Sequence, residues 1–123
     1  MIRSSRELVH SDSRGDIFDL ITDELISAVS HITFTQEAIR GNHIHFKTSQ
    51  WNYVISGNIH VVIDSNGERE EGIFQAGDLF LIPPGQAHAM KASEDSELMV
   101  FTMGPRGGKD FESDTFRLEL PLI

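Results

Sequence analysis

Almost everything this chain can fold into is limited by one feature: from residue 17 onward its apolar residues come in short runs rich in Val, Ile, Phe and Thr. Gly, Asn, Asp or Pro separates each run from the next. Runs of four to eight residues with such punctuation make strands, and no stretch holds a helical period long enough to compete. The runs place strands at Ile17 to Leu20, Ile26 to Thr35, His43 to Phe46, Trp51 to Ser56, Ile59 to Asp64, Leu79 to Ile82, Ala87 to Ala92, Leu98 to Met103 and Phe116 to Leu120. The expected class is therefore all-β. Only residues 1–10 and Asp19 to Ile26 leave room for a short helix. Ser56-Gly57-Asn58 and Ser65-Asn66-Gly67 read as tight hairpins, the second through an Asn-Gly pair suited to positive φ. The acidic runs Glu68 to Glu71 and Glu94 to Glu97 read as solvated turns, and Gly104 to Lys109 as a flexible surface loop.

At 123 residues the chain has length for one core, so residues 1–123 are expected to form a single domain. Its body would span about 15–104, with a last strand over about 115–122. A hydrophobic share of 39% excludes disorder as the main state. No run approaches the apolar length of a membrane span or a signal peptide, so a cytoplasmic protein without a membrane partner is expected. Ten Lys and Arg against 19 Asp and Glu leave a formal charge of -9, which repels nucleic acid at long range. With no cysteine, thiolate chemistry is excluded, and any metal must be held by nitrogen and oxygen.

The six histidines are the natural donors. His43 and His45, one residue apart, project from one face of a strand and can converge on one ion. Gly41-Asn42-His43-Ile44-His45 is followed after four residues by Gln50 and after six more by Gly57. A second cluster reads Gly77-x5-Pro83-Pro84-Gly85-x2-His88. The two spacings together resemble the paired motifs of the cupin superfamily. That resemblance implies a double-stranded β-helix, or jelly roll, with His43, His45, Gln50 and His88 at the four metal-ligand positions. Two residues depart from the pattern: Gln50 stands where Glu is usual, and Ala92 where Asn is common. Strand parity puts Gln50, Asn52 and Val54 on one face, as it does His88, Met90 and Ala92. Buried unpaired, such amides and imidazoles would cost roughly 1–3 kcal/mol per group, which a metal and water would offset.

Three imidazoles and an amide leave a cation's charge uncompensated, which favours Lewis-acid chemistry on a carbonyl or hydroxyl oxygen. The donor set suits one divalent transition metal, Zn, Fe, Mn, Ni or Co, rather than calcium or magnesium. Gln50 could equally stand behind a water, leaving an open three-histidine site.

His10-Ser11-Asp12-Ser13-Arg14-Gly15, followed by Arg40-Gly41-Asn42-His43, is similar to a subgroup of cupins that process sugar nucleotides, among them epimerases and keto-isomerases. With it the resemblance spans about residues 10–103. It implies a non-redox isomerase, epimerase or cyclisation enzyme on a sugar, sugar acid or sugar nucleotide. A metal-dependent dioxygenase, a non-catalytic small-molecule-binding cupin and a metal-free jelly roll are the alternatives. Arg40, Lys47 and Arg14 are the cationic candidates for a ligand's anionic group, and Asn52 is a further candidate contact. No base is identified: His31 and His60 read as half-exposed strand residues, and Tyr53 has the parity opposite to Gln50. A homodimer is expected, with Trp51, Tyr53 and Ile55, or Phe116 to Leu120, as contact candidates; the aromatic row could instead be core.

Overall fold

The computed structural model describes residues 1–105 and 112–123, and part of the predicted 104–109 loop lies outside these. Twelve strands run in chain order: β1 (Ile2–Ser5), β2 (Glu7–Asp12), β3 (Gly15–Asp19), β4 (Ala28–Phe34), β5 (Ile39–Ile44), β6 (Ser49–Ser56), β7 (Asn58–Ser65), β8 (Glu68–Gln75), β9 (Asp78–Ile82), β10 (Ala87–Ala92), β11 (Ser96–Met103) and β12 (Phe116–Arg117). One five-stranded antiparallel sheet has the order β1-β9-β6-β11-β4 and the other β12-β5-β10-β7-β8, while β2 and β3 pair only with each other. From β5 to β11 the chain passes repeatedly from sheet to sheet. That winding is the double-stranded β-helix, so the all-β jelly-roll expectation holds. No helix among the described residues is long and apolar enough to cross a membrane.

The alternation legible in the strands sets the layers. On β6, Gln50, Asn52 and Val54 are buried, whereas Trp51 and Tyr53 are half-buried and Ile55 is exposed. The Trp51 row therefore lies on the outer face and is not inter-sheet core. On β11, Leu98, Val100 and Thr102 face inward. Apolar inward residues of both sheets form one cluster that includes Phe34, Val54, Ile59, Phe74, Phe80, Met90 and Leu98. Phe74 and Phe80 stack at its centre, with ring centroids 4.1 Å apart. Each fully buried ring or aliphatic chain here contributes about 1.5–3 kcal/mol.

Three sequence expectations change. The N-terminal residues form β1 and β2 rather than helix, because Ile2–Ser5 adds an edge to β9. Glu68–Glu71 is not a turn but the start of β8, paired with β7 from Ser65↔Glu68 to Asn58↔Gln75. Acidic side chains on such an edge strand discourage pairing with another chain. Ser56-Gly57-Asn58 is not a hairpin: β6 pairs with β9 and β11, and β7 with β8 and β10, so Gly57 carries the chain around a corner between the sheets. Asn66-Gly67 does close the expected hairpin, with φ of 53° and 87° at its two loop residues. β5 also begins earlier than predicted, and β12 is only two residues long.

The two glycine turns give a test. Gly57 has φ +91°, and a Cβ there would lie 2.0 Å from Ser96 Oγ and 2.7 Å from the Asp95 carbonyl oxygen; one at Gly67 would meet nothing within 4 Å. Backbone strain of about 1–3 kcal/mol applies to an alanine at either site, but only Gly57 adds a steric clash. Urea denaturation is expected to show a larger loss of stability for Gly57→Ala than for Gly67→Ala. Equal losses would mean that the corner is not packed as described.

Candidate metal centre

His43 and His88 are cross-strand partners on β5 and β10. The register shifts at this point: His88 faces His43, but Ala89 faces Gly41, so Asn42 is an extra residue on β5. Gly41 (φ 92°) and Asn42 (φ 56°) both take left-handed conformations, which glycine and asparagine tolerate best. A Cβ on Gly41 would lie 2.9 Å from the His88 carbonyl oxygen. The Gly-Asn pair thus makes a bulge that re-aims β5, and His43 and His45 follow it into the interior. Asn42 also holds the C-terminal segment: its Oδ1 accepts from Leu122 N at 2.7 Å, and its carbonyl accepts from Leu118 N at 2.9 Å. The Pro83-Pro84-Gly85 turn clamps the other side, with Gly85 N donating to the His45 carbonyl at 2.7 Å.

The three rings sit with centroids 4.6 Å (His43–His88), 4.7 Å (His43–His45) and 5.2 Å (His45–His88) apart. One donor nitrogen from each lies within 4.8 Å of the others. Second contacts set the tautomers. His45 Nδ1 donates to the Asp114 carbonyl at 2.7 Å, and His88 Nδ1 to the Gln86 carbonyl at 3.1 Å. A carbonyl can only accept, so in both rings Nδ1 carries a proton, which leaves the ligand role toward a metal to Nε2. Burial, then the adjacent His43 ring, push the His88 imidazole down to about 3, with His45 adding to the shift and the Gln86 carbonyl opposing it. His88 is therefore neutral near pH 7, the form a metal ligand needs. These are the properties of a nitrogen site for a transition metal, and the residues fit one.

Asp114 braces the site from the C-terminal side. Besides its carbonyl bond to His45, its carboxylate accepts from Phe46 N at 3.1 Å and Lys47 N at 2.8 Å. Burial raises this carboxyl, but the Lys47 N–H, the Thr48 hydroxyl and the Phe46 N–H outweigh it and hold the group below the usual carboxylate range.

The rings open into a small cavity. Gln50 and Asn52 line its polar side with the histidines, Asn52 Nδ2 donating to the Gln50 backbone carbonyl at 3.1 Å. Ile32, Phe34, Met90, Leu98 and Val100 form an apolar wall, and Arg40 and Gly41 lie at the edge. Arg40 donates from Nε and Nη2 to the Thr33 carbonyl at 3.2 and 3.1 Å.

Two predicted contacts are not brought here. Lys47 is exposed and lines no part of the cavity, only its backbone being engaged, by Asp114. Arg14 lies at the turn of the β2–β3 hairpin, 2.7 Å from Asp12, and its guanidinium, then His10, hold the Asp12 carboxyl down at about 2. His31 and His60 pair with Glu97 and Glu71 at 3.4 and 3.7 Å on exposed surfaces, and Tyr53 faces outward. Asp114, Glu112 and Thr115 were not singled out from the sequence, and Arg117 only within the Phe116 to Leu120 stretch expected at a dimer contact. Their positions depend on β12 pairing with β5, and no spacing in the chain signals that.

The structure gives Asp114 a structural weight that can be measured. Asp114→Ala strips two backbone N–H groups of a charged acceptor, a contact worth roughly 1.5–3 kcal/mol each. The variant is expected to lose at least about 2 kcal/mol in denaturant titration, with Asp114→Asn losing less. A stability equal to the unsubstituted chain would remove Asp114 as a brace.

Among known proteins, the Cupin family model matches residues 19–107. No curated protein gives a significant match. Solved structures do. WlaRA, a TDP-fucose-3,4-ketoisomerase from Campylobacter jejuni, superposes with a TM-score of 0.77 at 17% identity, covering 94% of this chain and 89% of its own. QdtA, a sugar 3,4-ketoisomerase from Thermoanaerobacterium thermosaccharolyticum in complex with TDP, gives 0.73 at 20% identity, covering 96% and 86%. The dTDP-4-dehydrorhamnose 3,5-epimerase from Sulfolobus tokodaii gives 0.65 at 19% identity, covering 84% and 76%. At these identities the likeness is one of fold.

Proposed function

The chain belongs to the cupin family, and from that premise we propose that it is a non-redox enzyme, of isomerase, epimerase or cyclisation type, acting on a sugar, sugar acid or sugar nucleotide. In this reading residues 1–123 act as one cupin unit. His43, His45 and His88 hold one divalent transition metal, with Gln50 as a neutral fourth ligand or as the partner of a bound water. The observation that carries it is the convergence of three imidazole donors within 4.8 Å, two with Nδ1 already committed to a carbonyl. When bound, the ion would supply polarisation of a substrate carbonyl or hydroxyl oxygen.

The chain's own residues supply the rest. The wall from Ile32 to Val100 excludes water and holds a carbon skeleton against the polar side. Gln50 and Asn52 offer amide groups to hydroxyls, the Asn52 amine being already engaged. Of the residue types lining the cavity, imidazole is the one suited to exchanging a proton, and His88, held at about 3, is not the ring to do so near neutral pH. Support for a sugar-type substrate comes from the fold relatives named as sugar ketoisomerases and an epimerase, one of them in complex with TDP. A second reading rests on the same rings: one imidazole takes and returns a proton with no metal present.

Elemental analysis of the purified protein separates these. About one metal ion per chain is expected, falling to background in His43→Ala and His88→Ala. Gln50→Glu, which places a negative charge beside the ion, is expected to retain metal longer against a chelator. Proton transfer is read separately, as deuterium incorporation from D2O next to the carbonyl of a 4-keto sugar nucleotide. Absence of metal as purified and after addition would sink the metal site. Exchange that survives complete chelation would favour the metal-free reading.

The outward row Trp51, Tyr53 and Ile55 is only partly covered by the described residues, Trp51 and Tyr53 being half-buried and Ile55 exposed, and we propose that a homodimer forms there. Sedimentation is expected to give twice the 13.8 kDa chain mass, and a concentration-independent monomer would reject it.

A further inference from the structure

We propose that Arg117 and Arg40 form an anion-binding lip outside the histidine cluster, with Glu112 as the displaceable counter-ion of Arg117, so that the ligand is a sugar bearing a phosphate or carboxylate. The inference rests on the reading that a sugar-type ligand occupies the histidine cavity, and it narrows that ligand to an anionic one.

β12 pairs with β5 so that Arg117 stands directly opposite His43, and Phe116 opposite Ile44. Directly opposed residues of an antiparallel pair share a face, with Cβ atoms about 4.5–5.5 Å apart. Arg117 is therefore on the cavity side of the sheet, beside a ring of the cluster. Phe116 has the other parity and packs on Phe46, ring centroids 5.3 Å apart.

Outside the inner cavity lies a wider vestibule, and the two share Ile32, Arg40, Gly41 and His43. Ile39, Glu112, Thr115 and Arg117 line the vestibule but not the inner cavity. A ligand that reaches the rings and extends into the vestibule meets these groups. Arg40 is held in place by its two bonds to the Thr33 carbonyl and by the Phe34 ring, 5.4 Å from its guanidinium carbon. Its remaining N–H donors have no acceptor among the described contacts.

Among the described residues the Arg117 side chain makes one polar contact, Nη2 to Glu112 Oε1 at 3.1 Å, and the two side chains are 70% and 56% exposed. An exposed single contact of this kind is weak, whereas a carboxylate or phosphate presented face-on engages the guanidinium fork with two parallel bonds. A ligand anion can thus displace Glu112, and a neutral sugar gains nothing by doing so. Two of only ten Lys and Arg residues stand at this opening in a chain of charge -9, which makes the lip a local reversal of the overall field.

Calorimetric titration of the purified protein with glucose 1-phosphate, galacturonate and glucose tests this. Both anions, or whichever of the two matches the natural group, are expected to bind at least about tenfold more tightly than glucose. Arg117→Ala is expected to abolish that preference, Arg117→Lys to keep part of it, and Glu112→Gln to strengthen anion binding severalfold, all with unchanged metal content. The ratio between the two anions assigns phosphate or carboxylate. Should Arg117→Ala fail to fold, Arg117→Lys and Glu112→Gln carry the test. Glucose binding as tightly as the anions, anion affinity unchanged in a folded Arg117→Ala, or no binding of either anion would overturn the lip. A normal metal content with no anion preference sinks the lip alone; anion preference in a protein that binds no metal sinks the metal site alone.

Discussion

The pairing of β5 with β10 is the contact on which the rest of this site depends. It places His43 against His88 across one ladder, and it can do so only because Gly41 and Asn42 absorb an extra residue with positive φ. A regular ladder would keep one residue against one and leave His43 and His45 aimed differently with respect to His88. The same bulge brings the Gly41 backbone so close to His88 that no side chain fits there. The extra residue, Asn42, is then free to tie down the C-terminal segment, which returns Asp114 to His45 and Arg117 to His43. Ligand geometry, its bracing and the mouth of the cavity thus share a single backbone irregularity.

Electrostatically the site is the inverse of the molecule around it. A chain of charge -9 encloses a cavity lined by imidazoles and amides, with Arg40 at its edge and no carboxylate among the described lining residues. The nearest buried carboxylate, Asp114, is spent on backbone N–H groups. A cation entering the rings would keep most of its charge, which suits polarising a substrate oxygen better than stabilising an oxidised metal.

Much of the fold was legible because its signals are local. Alternation on β6 sorted Gln50, Asn52 and Val54 from Trp51, Tyr53 and Ile55, and Asn66-Gly67 marked a hairpin through its required φ. The errors came where local chemistry does not say which partner a strand takes. Gly57 reads the same at a hairpin and at a corner between sheets; only the partners of β6 and β7 distinguish them. Glu68–Glu71 looks like a turn by charge, yet an edge strand facing water carries charge without penalty. Arg14 and Lys47 were drawn toward the site by sequence proximity to motifs, but one caps a hairpin with Asp12 and the other faces solvent.

By itself the sequence determined the class of fold and the kind of donors available: short β-rich runs, no cysteine, and an H-x-H pair with a third histidine after a Pro-Pro-Gly turn. These follow from residue type and period, which act over a few neighbours. The tertiary structure alone decided that the three rings converge, that Asp114 and Gln86 fix two of their tautomers, and that Arg117 stands beside His43. Apart from the local His88–Gln86 contact, those facts join residues far apart in the chain, 69 positions in the case of His45 and Asp114, through ladder register and a bulge that long-range packing selects, and no local pattern encodes them.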